Sequence, residues 1–78
     1  MIAPQLLSIF DDLFESAPGT IQPQTPFQEL PGWGSIAFLG LIARIDEELG
    51  LTIAPADVLK SKTVADLESR LTSLKKAA

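Results

Sequence analysis

Leu6, Ile9, Phe10, Leu13 and Phe14 recur at helical spacing and fall on one stripe, which predicts a helix from about Pro4 to Glu15. Pro4 is tolerated in a first turn, where its missing N–H has no intrahelical partner. The helix should fade at Ser16-Ala17-Pro18-Gly19, because proline disfavours the helical conformation of the residue before it. From Ser16 to Gly34 the periodicity is lost. Pro18, Pro23, Pro26 and Pro31 remove backbone donors at short intervals, so neither a helix nor a central strand fits this connector. Phe27 and Leu30 are its expected anchors in the core. A loop of this length in a small domain is commonly functional.

Periodicity returns at Ser35. Taking about 100° per residue, Phe38, Leu41, Ile42, Ile45 and Leu49 form one narrow inward stripe over Ser35 to Leu49, and Gly50 offers a left-handed cap. The opposite face carries Ile36, Gly40, Ala43 and Glu47, with Leu39 on its flank. Leu51 to Ser61 reads as a link with Ile53 pointing inward and one or two helical turns over Ala54 to Leu59. A last helix starts at Thr63, an N-cap residue with Asp66 as a weak capping-box partner. Val64, Leu67, Leu71 and Leu74 line its inner face, and Lys75 and Lys76 suit the negative end of its dipole. No strand alternation and no internal repeat is present. The pattern predicts an all-α fold, a small four-helix bundle of three main helices plus one short helix, with a long first loop.

Composition narrows the function. At 78 residues the chain is expected to form one domain, 1–78, with a modest core. Apolar residues at 46% against charged residues at 21% place it among folded chains. It has no cysteine, which removes disulfides and thiolate metal sites. It has no histidine, which removes the usual general base and the commonest metal ligand. A Ser-His-Asp triad or a zinc hydrolase cannot be built from this chain alone, so no catalytic or metal residues are expected. A net charge of −4 argues against nucleic acid and suits partners that present Lys and Arg. The longest apolar run, Ile36 to Ala43, is too short to span a membrane. No signal-type segment marks export, so the expectation is a cytoplasmic, monomeric protein; Met1 and the Lys75-Lys76-Ala77-Ala78 tail favour a free-standing one.

The chemistry concentrates at Gly32-Trp33-Gly34-Ser35-Ile36. Ser35 has two readings: an N-cap whose hydroxyl accepts a backbone N–H, or a hydroxyl displayed beside an apolar surface for attachment. Ile36, Leu39 and Ala43 cluster next to it, which favours a partner site over ordinary surface. Trp33 is expected to anchor the loop and so fix where Ser35 points. Asp46-Glu47-Glu48 reads as a solvated face before it reads as a metal site, and the same default holds for Asp11, Asp12 and Glu15.

Leu30-Pro31-Gly32-Trp33-Gly34-Ser35-Ile36, Leu41 to Ile53, Asp57-Val58-Leu59 and Thr63-Val64-Ala65-Asp66-Leu67 together resemble the acyl carrier protein family, which includes peptidyl carrier domains. The resemblance covers nearly the whole chain and implies an acyl carrier protein-like bundle without catalytic activity. It implies that Ser35 carries a phosphopantetheine arm, placed there from coenzyme A by a phosphopantetheinyl transferase. Acyl or aminoacyl intermediates would ride on the arm as thioesters to partner enzymes of fatty-acid, polyketide or related biosynthesis. Gly34, Ile36, Leu39, Ala43 and Glu47 would form the partner face. Phe38, near Ser35 on the inward stripe, would limit how much of an acyl chain enters between the helices.

Two departures stand out. The family usually has Asp-Ser-Leu, and here the triplet is Gly34-Ser35-Ile36. Glycine removes a carboxylate that favours recognition by the transferase. This sustains an alternative, a carrier-like interaction module that is not modified and binds partners non-covalently. Carriers of fatty-acid synthesis usually have acidic residues on the first turns of this helix, where the chain has Ala37, Gly40 and Ala43. That surface suits a partner that reads shape and apolar contact, and it suggests a specialised carrier.

Overall fold

The structure, a computed structural model, describes residues 3–17 and 19–77, and the side chains of residues 4–17 and 19–75. Four helices follow one another: α1 (Ala3–Phe14), α2 (Ser35–Leu49), α3 (Pro55–Lys60) and α4 (Val64–Ala77). The described residues contain no strand, and the fold is the expected all-α bundle with a long first loop. Helix α1 lies mainly against α2 and also against α4, while α3 rests on α4.

The apolar stripes do the packing. Leu6, Ile9 and Phe10 of α1, Leu41 and Ile45 of α2, and Val64, Leu67 and Leu71 of α4 are buried together with Ile53 and Val58. Phe38, Ile42, Leu49 and Leu74 close the edges, half-buried. Gly40 departs from expectation. It does not stand on the open outer face, because a Cβ there would sit 3.2 Å from Leu13 Cδ2, so α1 approaches α2 closely at this point. A clip at the surface completes the pairing. Arg44 on α2 reaches Asp12 on α1 at 3.0 Å and also pairs with Glu48 one turn on. Hydrogen bonding to Asp12 first, then to Glu48, raises the guanidinium above its ordinary pKa. Exposed pairs of this kind orient elements more than they stabilise them.

The helix ends are set by local chemistry. Helix α1 stops before the proline that was expected to stop it. Glu15 adopts a left-handed conformation (φ 51), Ser16 N–H donates to Asp11 C=O at 2.9 Å and Glu15 N–H to Asp12 C=O at 3.4 Å, the two bonds of a Schellman cap. Pro18, invoked for that ending, and the Lys76 side chain lie outside the described residues. Helix α2 ends as the sequence suggests, with Gly50 at φ 67 donating to Asp46 C=O. Pro55 opens α3 after Ala54.

The first loop is more ordered than its prolines imply. Phe27–Glu29 form a short 3-10 turn behind Pro26, which the sequence reading excluded as helix. A three-residue turn needs few backbone donors, so proline beside it is no obstacle. Phe27 is fully buried and Leu30 half-buried, as anticipated; Ile21 is buried too, at 2% exposure, and was not anticipated. Leu30-Pro31-Gly32-Trp33 closes a tight turn, with Trp33 N–H donating to Leu30 C=O at 3.1 Å and Gly32 at φ 94. Proline at the second position and a positive-φ glycine at the third are what a type II turn requires.

The loop also finishes α4. Val64 N–H donates to Thr25 C=O at 3.2 Å and Ala65 N–H to Pro23 C=O at 2.7 Å. Asp66 N–H donates to Thr63 Oγ1 at 3.1 Å and Leu67 N–H to Thr63 C=O. Of the amides that the helix start leaves without intrahelical partners, those of Val64, Ala65 and Asp66 are thus satisfied, and Leu67 makes the first intrahelical bond. The capping box is shifted by one residue from expectation, since the Asp66 carboxylate accepts from Lys62 N–H.

A left-handed Glu15 is costly where glycine is not. Replacing it, Glu15→Gly, should raise unfolding free energy by about 1 kcal/mol. Urea unfolding followed by Trp33 fluorescence measures this, and a loss of stability would refute the assignment of the cap.

Candidate functional site

The site is the junction of the first loop with α2. An aromatic ladder positions it. Phe10 meets Phe27 at 5.2 Å, Phe27 meets Trp33 edge-on at 5.3 Å, and Trp33 continues to Phe14 at 6.4 Å and Phe38 at 6.2 Å. Such pairs each add about 0.5–1.5 kcal/mol beyond burial. Trp33 is therefore locked between α1, the loop turn and α2, one peptide unit ahead of Gly34. This is the anchoring role the sequence suggested for it.

Gly34 is the N-cap and Ser35 the first residue of α2, so the cap reading of Ser35 is corrected by one position. The Gly34 carbonyl accepts from Phe38 N–H at 2.8 Å and starts the helix. Having no side chain, Gly34 gives no side-chain cap bond. Its φ of 177 and ψ of −168 are extended backbone open to any residue, and a Cβ there would have nothing within 4 Å. Neither space nor strain demands glycine in place of the family's aspartate. Ser35 is exposed.

Around Ser35 the outer surface is apolar. Ile36 is 89% exposed and Leu39 62% exposed. Ala43 and Glu47 are exposed on the same helix, while Phe38 turns inward against Trp33. These residues all lie on α2. Gly40, placed with them by its spacing, instead meets Leu13. Asp46, Glu47 and Glu48 are exposed, Glu48 is engaged by Arg44, and no metal-binding group of acidic side chains occurs among the described residues.

Two residues of interest escaped the sequence reading. Leu59 is 58% exposed on α3. Its neighbour Val58 is buried, and about 100° of helical rotation carries Leu59 outward, so periodicity could have found it. Gln28 donates its side-chain amide to three carbonyls about thirty residues away, a contact that no local pattern signals.

The sequence model of the family described as phosphopantetheine attachment site matches residues 4–71. That is most of the chain, and the chain belongs to this family, the acyl and peptidyl carrier proteins. Members hold phosphopantetheine covalently, interact with phosphopantetheinyl transferase and biosynthetic enzymes, and are carriers, not catalysts. No curated protein and no solved structure matches the chain. Among the described residues, no helix is long and apolar enough to cross a membrane.

The first turn of α2 fits such a group. Ser35 offers an exposed hydroxyl, the surroundings of Gly34 are open, and the positive end of a helix dipole favours a phosphodiester. When bound, phosphopantetheine supplies a terminal thiol on which acyl groups are held as thioesters.

Because their side chains face outward, Ile36→Asp and Leu39→Asp should each change stability by no more than about 0.5 kcal/mol. Urea titration checks this. Unfolding of either variant would mean that the faces of α2 are assigned wrongly.

Proposed function

We propose that Ser35 is the attachment point for phosphopantetheine and that this single carrier domain presents acyl or aminoacyl thioesters to enzymes of fatty-acid, polyketide or related biosynthesis. The observation that carries the reading is an exposed serine hydroxyl at the first residue of α2, beside an exposed apolar face. Ile36, Leu39 and Ala43, with Gly34 at the helix entrance and Glu47 further along, make the partner surface. The face beside Ser35 is uncharged, so partners read it by shape and apolar contact, with little electrostatic steering. Phe38, held edge-on by Trp33, stands where cargo would pass inward.

Gly34 supports a second reading, an unmodified module that binds partners non-covalently, because it lacks the family's carboxylate. One measurement separates the two. Incubated with coenzyme A, magnesium and a broad-specificity transferase, the protein should gain the mass of one phosphopantetheinyl group, and Ser35→Ala should gain none. No gain with several transferases would favour the unmodified module.

The open space at Gly34 yields a further expectation. Gly34→Asp should fold normally, gain a few tenths of a kcal/mol (~0.3) as a better cap, and be modified faster than the parent. Intact-mass time courses read the rate; equal rates would show that the aspartate is not what the transferase recognises here.

A further inference from the structure

Helix α3 has little of its own to hold it. It spans six residues, well below the roughly 12–15 at which an isolated helix becomes marginal in water. It buries one side chain, Val58, and its ion pair to α4 is loose, with Arg70 Nη1 3.7 Å from Asp57 Oδ1. At its C-terminal end it is tied to the first loop by one side chain.

Gln28 Nε2 lies 3.1 Å from Val58 O, 3.1 Å from Leu59 O and 2.7 Å from Ser61 O. These carbonyls belong to the last turn of α3 and the residue that caps it, where acceptors lack the usual amide four residues on; Val58 O also takes the cap bond from Ser61 N–H. An amide has two N–H donors for three acceptors, so one of them is shared. Ser61 is fully buried at the same point; its N–H donates to Val58 O and its hydroxyl to Asp57 O at 2.8 Å. The loop end of this contact is rigid. Phe27, one residue before Gln28, is fully buried among aromatic rings, and Pro23 and Thr25 are tied to the start of α4. Gln28 and Ser61 also line an open cleft of about 600 Å³ whose rim includes Leu59, Lys60 and Lys62.

We propose that Gln28 is a positioning residue: its amide straps α3 to the first loop and so fixes where the exposed Leu59 stands relative to the segment that delivers Ser35. Without the strap, α3 opens as a unit of its own while α1, α2 and α4 stay folded. The positioning role rests on the carrier reading for its purpose, but the strap itself is tested without it.

The test is amide hydrogen exchange, read residue by residue on the unmodified full chain at a pH and temperature where the parent is folded. In Gln28→Ala, the protected amides of α3 and Ser61 should exchange at least about tenfold faster, because more than one carbonyl loses its donor. The slowest amides of α1, α2 and α4 should change several-fold less. Gln28→Glu keeps the shape of the side chain and removes its donors, so at neutral pH it should accelerate the same amides at least as much. A uniform rise across all helices in either variant, or α3 protection retained in Gln28→Glu, overturns the strap. The positioning role is read separately with the transferase: the KM for Gln28→Ala should rise while kcat stays near the parent value. Unchanged KM and kcat together with faster α3 exchange would overturn the positioning role and leave Ser35 modification standing. Absence of modification in the parent would instead count against the carrier reading and leave the exchange result valid.

Discussion

The start of α4 depends on a loop that lies forty residues earlier in the chain. Val64 and Ala65 donate to carbonyls of Thr25 and Pro23, and Thr63 serves the next two amides. This constraint turns a proline-rich connector into a structural part. A loop whose carbonyls must meet those amides cannot drift, and the Phe27 ring is then seated over Phe10. The aromatic ladder runs from there to Trp33, and Trp33 precedes the entrance of α2. Burial stabilises the bundle, but the polar fit between loop and α4 gives it one arrangement.

The two long helices that follow the loop begin in opposite ways. At α4 the amides of Val64, Ala65 and Asp66 are met by loop carbonyls and by the Thr63 hydroxyl. At α2 the N-cap is a glycine that provides no side-chain acceptor, and the surrounding space is open. A start tied to the loop in this way is a structural joint. An open one beside an exposed serine and two large exposed apolar side chains leaves room for another group. The family's covalent phosphopantetheine matches this asymmetry, because a phosphodiester is the charge that an open helix start favours.

Much of this was legible from residue order, for identifiable reasons. Helix α2 shows a full apolar stripe, a proline- and glycine-rich entrance and a glycine exit, so its bounds and its inner face follow from spacing. Thr63 announces α4 because a hydroxyl at that position has a local job. The misses are equally specific. Gly40 was placed on the outer face by angle alone, whereas the close approach of Leu13 depends on how α1 crosses α2. Glu15 ends α1 in a conformation that its residue type does not advertise. Ile21 and Gln28 are single residues in a loop without period, and their roles arise only from what they meet.

Periodicity and caps act within a few residues, so the chain by itself determined the four helices, the inward stripes and the exposed character of Ile36 and Leu39. The family pattern likewise lies in linear order. The tertiary structure decided that Gly34 and not Ser35 caps α2, that the glycine there is not required by strain or space, and that the first loop is fastened to both α3 and α4. The bonds from Gln28 to Ser61 and from Val64 to Thr25 join groups more than thirty residues apart. Hydrogen bonds of that kind are specified by the geometry of the packed chain, and no local pattern encodes them.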